Sequence, residues 1–529
     1  MHLFCACLKP TIFCFRNKIP TTIHIDWSNL PSVLYYEKWG EKKRLKECPA
    51  LIRHLVKNFS SWTSGNKDID KVIQDTQINF TRIKDIMEWI PYEEFKEINF
   101  IARGGYGKVS SAKWPRGYIE GYSLKKRRVK RYRDTEVVLK AFIPSDEDER
   151  KENTANDQKS TSNTFCTPIT SESTSQDTKC ENKKANFLSS FIKELKFYKD
   201  IESNLVTRCY GVTKNPEDGM YILVLQRGGQ SLREFNRSQI SSGKLDWDFI
   251  LDSLDDIMMA ISNMHRLNII HRDLHSGNIL MADNNYEKPS KRKRFRLNII
   301  RRDLHSENIS MDDNKGDKKF KASKRRRLPD TMITDLGLCR PIDEPIDSKS
   351  IFGIPVYMAP EILNGQPHTK ASDIYSIGTI MYELARGFPP FADKDYDTKA
   401  VKALVRQGIK PDPIPGIPTF YEETMLQCWN NDPAKRPTAM ELETRFHEWF
   451  YAPNRERSIQ EQIDQANEYL KKNPRNIHNI ELDRTLVTSI RIEPEFMRNL
   501  QSQKGTCHDI NIKDDDTNIA TTESNIGIK

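Results

Sequence analysis

Apolar residues along this chain follow two rhythms, which alternate along its length. Between residues 98 and 141 the pattern is that of strands. INFIARGGYGKVSS over 98–111 reads as an apolar run, a glycine turn and a second run beginning near Val109. EVVLKA over 136–141 is a β-branched stretch carrying one lysine, and MYILVLQ over 220–226 reads as a further buried strand. Beyond it the period lengthens. Ile250, Leu254, Ile257, Met258, Ile261 and Met264 recur at three and four residues and predict a long amphipathic helix ending near Arg266. A helix is also predicted where Leu188, Phe191, Ile192, Leu195 and Tyr198 form one stripe. The apolar positions from Ile69 to Ile90, with Ile83, Ile86 and Met87 among them, predict a helical lead-in that packs against the domain beginning near residue 95. A last helical stretch lies near Ile459 to Leu470.

Polar stretches interrupt these elements. Residues 144–186 lack the apolar side chains needed to bury a core and are expected to form a disordered loop. Residues 114–133 form a basic insert, and 284–328 must loop out ahead of a short predicted strand at Met332-Ile333. A length of 529 residues is enough for two lobes and flanking segments. The expected organisation is an extension over 1–94, a domain over 95–452 and a partly disordered tail over 453–529. The net charge of +9 is modest and concentrates in basic runs at 125–128, 291–294 and 324–327. These read as solvated loops: no stable nucleic-acid binding is expected, although the basic inserts would suit nuclear entry. Ten cysteines without a CxxC pair show neither zinc spacing nor a disulfide framework, which suits the reducing cytoplasm. The N-terminal apolar stretch is broken at Lys9 and Pro10, and no stretch reaches 18 apolar residues, so no membrane span is expected.

Three clusters carry candidate chemistry. Gly104, Gly105 and Gly107 let backbone approach phosphates closely, although glycines so placed also suit a hairpin turn. Lys140, among apolar neighbours, needs partners if it points inward, and faces solvent if its strand is an edge. The stretch 269–279, IIHRDLHSGNI, places Asn278 five residues after Asp273. A carboxylate at that separation from an amide can position a hydroxyl proton while the amide oxygen helps hold a metal ion on phosphates.

That order of residues resembles the catalytic loop of eukaryotic protein kinases, and the remaining motifs come in the family's order. HRDLHSGN, TDLGLCRP (334–341) and the lead-in EWIPYEEF (88–95) are most similar to the tyrosine-kinase-like group, including its expanded fungal members. The resemblance covers about residues 95–450 with the inserts removed. It implies an α+β bilobal fold, a small β-rich lobe over a larger helical lobe, with ATP and Mg2+ between them. The implied reaction passes the γ-phosphoryl group to a protein hydroxyl, of serine or threonine rather than tyrosine. In that picture Asp273 positions the hydroxyl, Lys140 holds phosphates and pairs with Glu194, and Asn278 and Asp335 bind the metal. Ala102, Arg103, Gly104, Gly105, Tyr106 and Gly107 form the loop over the phosphates. Val109, Val138 and Leu280 enclose the adenine ring, Leu225 guards its pocket, and Gln226 to Gly228 form the hinge. Arg436 is the implied buried partner of Glu361. Arg272 would receive a phosphate placed on Ser348 or Ser350 by an upstream activating kinase.

The chain departs from the family pattern in several places. Ala102 stands for the first glycine, His275 for a lysine on the transferring phosphate, and Ile354 for a threonine beside the catalytic aspartate. These favour a rival reading, a pseudokinase scaffold that binds nucleotide or partner proteins. Moreover, RLNIIHRDLHSGNILMADNN (266–285) returns as RLNIIRRDLHSENISMDDNK (296–315), with fifteen of twenty positions identical. Only one copy can serve the site, and the first is expected to. In the second, Arg301 replaces a packed His271, Glu307 brings negative charge in place of Gly277, and Ser310 replaces the apolar Leu280. The duplication also accounts for most of the unusual separation of Asn278 from Asp335, 57 positions.

Overall fold

A computed structural model describes residues 35–38, 41–44, 48–80, 82–104, 107–142, 174–201, 205–282, 331–344, 351–394, 396–450, 456–477 and 489–492. The whole 284–328 insert with the second copy of the repeat, Gly105, Tyr106, Ser348 and Ser350 lie outside these residues.

A short hairpin, β1 (Tyr35–Lys38) with β2 (Glu41–Arg44), precedes α1 (Cys48–Lys57) and α2 (Lys67–Ile78). Asn66 caps α2, its side chain accepting from the N–H groups of Asp68 and Ile69, and Ile69, Val72 and Ile73 form its buried face. The lead-in helix expected to continue to Ile90 stops at Ile78. The chain then makes a single tight turn at Ile83–Asp85 and extends as β3 (Glu88–Trp89), which pairs in parallel with Gly211 and Val212. Ile86, Met87 and Ile90 are buried all the same. An extended segment sandwiched between packed layers hides its apolar residues without a helix, so spacing alone misassigned it.

β4 (Lys96–Gly104), β5 (Gly107–Trp114), β6 (Tyr118–Ser123), β7 (Arg128–Tyr132) and β8 (Thr135–Ala141) come next. The 114–133 insert is therefore a folded hairpin: β6 pairs with β7 and packs Ile119 and Tyr122 on Leu51, Ile52 and Leu55 of α1. Arg131 anchors it with two bonds to the Glu88 carboxylate, at 2.9 and 2.5 Å, and Lys125 to Arg128 are solvated at its turn. After α3 (Thr174–Asp200) come β9 (Cys209–Lys214) and β10 (Tyr221–Gln226), completing a six-stranded sheet ordered β3-β9-β10-β8-β5-β4. Part of the region expected to be disordered, 174–186, is helical. No Gly or Pro interrupts 174–200, so the packed turns around Phe191 and Leu195 extend backward cooperatively.

The second lobe is helical: α4 (Leu232–Ser241), α5 (Trp247–Arg266), α6 (Pro360–Leu363), α7 (Lys370–Arg386), α8 (Thr398–Arg406), α9 (Thr419–Cys428) and α10 (Ala439–Phe450). α5 and α7 are buried around most of their surface, and the site's loops run between them and the sheet. Those loops hold short strands, β11 (Ile269–Ile270), β12 (Ile279–Met281), β13 (Thr331–Ile333), β14 (Arg340–Pro341) and β15 (Ile351–Gly353). The segment read as tail is partly ordered. α11 (Arg457–Lys472) buries Ile463 and Ala466 in the lobe, and Asn467 accepts the N–H that opens α5 at Trp247, 2.9 Å away. A final strand, β16 (Ile490–Ile492), pairs with β15.

Candidate active site

β8 is a central strand, and its alternation decides where Lys140 points. Val137 and Leu139 bury into the outer core with Trp114, Ile222 and Val224. Val138 and Lys140 take the opposite face, and cross-strand register puts Val109 and Leu225 on that face with them. The edge-strand reading of Lys140 therefore fails. Its Nζ donates to both oxygens of Glu194, at 2.8 and 3.0 Å, and to Asp335 Oδ1 at 2.7 Å. Glu194 is delivered by α3, whose stripe of Phe191, Leu195 and Tyr198 is buried. Burial alone would lower the Lys140 pKa, but the carboxylates of Asp335 and Glu194 outweigh it and raise it. Burial raises Glu194, against the pull of Lys140. Partial desolvation would raise Asp335, but Lys140 and the Gly337 N–H outweigh it and hold it below the carboxylate range. So Lys140 stays a cation bridging two lobes.

The loop carrying His271 to Asn278 runs from β11 to β12, and α7 holds its backbone. Asp373 accepts the N–H of His271 at 2.9 Å and of Arg272 at 3.0 Å, while His265 Nε2 lies 3.0 Å from it. His271 is wholly buried with its pKa lowered by desolvation, so the imidazole is neutral. A longer, permanent cation has no place there, which is the physical case against the second copy with its Arg301. Asn278 Nδ2 donates to the Asp273 carbonyl at 2.9 Å and lies 3.4 Å from its Oδ2, which leaves the amide oxygen as the end free for a cation. Burial would raise Asp273, but the hydrogen bond and charge of His275 and a bond from Ser489 outweigh it and keep it ionised.

Strand pairing closes the sequence gap between Asn278 and Asp335. Ile279 lies opposite Ile333, and the Thr334 N–H donates to the Asn278 carbonyl at 2.9 Å. Asp335, at a left-handed φ of 59°, keeps 48% of its side chain open to the cleft. One carboxylate and one amide oxygen are hard donors suited to a hard divalent cation that takes its remaining ligands from phosphates and water.

The nucleotide side is partly described. β4 and β5 close at Gly104 opposite Gly107, with Ala102 opposite Val109 at an exposed rim; the Arg103 side chain lies outside the described residues. A Cβ on Gly107 would sit 2.1 Å from the Ala141 carbonyl oxygen, so the second glycine strand requires its glycine for packing. Leu225 is buried, and β10 ends at Gln226, whose N–H donates to the Arg208 carbonyl at 2.8 Å. Leu280 lies against Gly228, where a Cβ would come within 2.5 Å of its Cδ1. Ile354 is buried, and Arg436 forks onto Glu361 at 2.6 and 2.7 Å.

Three contributors were not foreseen from the sequence. Tyr357 donates to Glu383 at 2.5 Å, Arg233 reaches the same carboxylate at 3.0 Å, and Ser489 bonds Asp273. The alternation Ser489-Ile490-Arg491-Ile492 is compatible with a strand, but it carries no sign of the partner that Ser489 meets.

The chain belongs to the protein kinase domain family: the family model matches residues 159–290 and 294–450, more than half the chain. The match breaks between the two repeat copies, and it leaves out the glycine loop and Lys140, whose placement rests on strand register and hydrogen bonding. Serine/threonine-protein kinase PkaB of Streptomyces coelicolor is 37% identical over 119 residues, 22% of this chain and 28% of its own. Serine/threonine-protein kinase AtPK2/AtPK19 of Arabidopsis thaliana is 28% identical over 207 residues, 38% of this chain and 33% of its own. Serine/threonine-protein kinase pakG of Dictyostelium discoideum is 23% identical over 258 residues, 48% and 18% respectively. The chain thus spans a third or less of the length of these relatives. No helix among the described residues is long and apolar enough to cross a membrane.

Proposed function

We propose that this chain is an ATP-dependent protein kinase acting on serine or threonine hydroxyls, of the tyrosine-kinase-like group. The observation that carries the reading is Lys140 shared between Glu194 and Asp335 while Asn278 is locked onto Asp273. Lys140 would hold the α- and β-phosphates, with the backbone of the glycine strands above them. Val109, Val138, Leu225 and Leu280 would enclose the adenine, and Gln226 to Gly228 would serve as the hinge. Asn278 and Asp335 would hold Mg2+, which when bound neutralises charge on the phosphates. Asp273, kept as a carboxylate, orients the acceptor hydroxyl and takes its proton. Arg272 is the proposed receptor for an activating phosphate. The motif match to the tyrosine-kinase-like group supports the finer assignment, and the lack of CxxC pairs supports a cytoplasmic location.

The test is transfer of labelled γ-phosphate to a serine/threonine peptide by the purified chain. Asp273→Asn is expected to reduce it by about 10²–10⁴-fold, and Asp303→Asn, in the second copy, to leave it in place. Nucleotide binding without transfer would establish the scaffold reading instead, and the reverse order of the two variants would move the site to the second copy.

A further inference from the structure

The C-terminal segment enters the cleft. β16 lies antiparallel to β15, with Gly353 opposite Ile490, Phe352 opposite Arg491 and Ile351 opposite Ile492. Just before it, the Ser489 hydroxyl sits 3.0 and 2.9 Å from the two oxygens of Asp273 and donates to that carboxylate. Gly353 explains the register. Its position would bring a Cβ to 3.6 Å from Asp273 Oδ1 and 3.2 Å from Met358 Sδ, so backbone here runs against the catalytic aspartate. A strand paired at this point delivers its preceding residue to Asp273. Main-chain pairing with an exposed strand is how an extended peptide docks largely independently of its side chains. The hydroxyl meets an ionised acceptor, which makes the contact charge-assisted. A serine on an antiparallel strand, bonded to the carboxylate that positions acceptor hydroxyls, is the arrangement of a substrate.

We propose that residues 489–492 occupy the peptide-substrate position of this cleft and that Ser489 is the chain's own phosphoryl acceptor. This rests on the kinase reading. In the step, a bond forms between Ser489 Oγ and the γ-phosphorus of a nucleoside triphosphate. The bond from that phosphorus to the β,γ-bridging oxygen breaks, and the nucleoside diphosphate leaves with the electron pair. The hydroxyl proton passes to Asp273. The product carries about −1.5 to −2 charges at neutral pH, placed beside Asp273, and like-charge repulsion then expels the segment. Before modification the segment competes with any other protein substrate; afterwards it does not.

The experiment uses the full chain, stripped of phosphate and incubated with ATP and Mg2+ at widely different protein concentrations. Sites are mapped by mass spectrometry, and transfer to an exogenous serine/threonine peptide is followed in parallel. Phosphate is expected on Ser489 at a first-order rate independent of protein concentration, and absent in Asp273→Asn. Ser489→Thr is expected to keep labelling at that position. Ser489→Ala is expected to abolish it and, because the paired segment can then no longer be expelled, to keep the apparent KM for the peptide severalfold above that of the phosphorylated wild-type chain. Peptide phosphorylation without phosphate on Ser489, or labelling whose rate rises with protein concentration, overturns the proposal and leaves the kinase reading standing. Absence of transfer to either acceptor overturns both.

Discussion

Asp373 holds Arg272 in a backbone conformation the chain would otherwise avoid. Arg272 has a φ of 73°, and its N–H donates to Asp373 Oδ1 at 3.0 Å while the N–H of His271 takes Oδ2 at 2.9 Å. A left-handed non-glycine residue costs about 1–2 kcal/mol, whereas each hydrogen bond to a buried charge contributes about 1.5–3 kcal/mol. The carboxylate wins, and Asp273 is aimed as a result. Asp373→Asn keeps the shape but turns one acceptor into a donor facing an N–H. Transfer is expected to fall about 100-fold through misplacement of Asp273, in kcat rather than in the KM for ATP, and steady-state kinetics checks the split.

The same carboxylate gives a pH prediction. Burial would raise Asp373, but the hydrogen bond and charge of His265, with the bond from the His271 backbone N–H, hold its pKa below the usual value. A carboxylate with a depressed folded pKa stabilises the fold above its unfolded pKa of about 3.9. That stability is lost as pH falls through the folded pKa. Urea midpoints measured from pH 6 downward are therefore expected to drop steeply below about 4, and to drop less steeply in Asp373→Asn. Equal slopes would show that Asp373 is not held ionised by the fold.

How much of the site was legible depends on where the information lies. The catalytic loop and Asp335 were readable because charged residues stand at fixed offsets inside apolar runs, a local signal. Lys140 was ambiguous until register showed β8 to be central, since edge and interior strands share one alternation. The lead-in past Ile78 misled because helical spacing and an extended, doubly packed segment can place the same apolar residues. The hairpin of β6 and β7 was hidden by the basic residues of its turn, while its two anchors, Ile119 and Tyr122, needed α1 to explain them. Ser489 could not be found at all from its own neighbourhood. Its partner is 216 residues away, and nothing in a short β-branched run names the strand it will join.

Arg436 and Glu361 offer a stability test away from the chemistry. The guanidinium is fully buried, forks onto the carboxylate at 2.6 and 2.7 Å, and also donates to the Ala371 carbonyl at 2.9 Å. Replacing such a pair wholly with apolar groups can be neutral, but removing one partner strands the other charge. Glu361→Gln is expected to destabilise the chain by about 3–5 kcal/mol, and Arg436→Lys by a comparable amount because one ammonium cannot fork. Chemical denaturation of the two variants and of the double variant measures this; the double is expected to fall well short of the sum.

Gly228 and Leu280 test the adenine side. A Cβ on Gly228 would meet Leu280 at 2.5 Å from Cδ1, 2.9 Å from Cβ and 3.2 Å from Cγ. Cδ1 is a mobile end and can swing aside, but the leucine Cβ is fixed by β12, so the whole side chain must tilt. In the proposed function this side chain encloses the adenine together with Val109, Val138 and Leu225. Gly228→Ala is thus expected to raise the KM for ATP severalfold while the KM for peptide stays near its original value. Leu280→Ala alone loses apolar surface under the ring, worth about 25 cal/mol per Å², and also weakens ATP. The double variant Gly228→Ala/Leu280→Ala removes the collision, so its ATP KM should be no worse than that of Leu280→Ala. Strict additivity of the two effects would mean that Gly228 and Leu280 do not meet around the nucleotide.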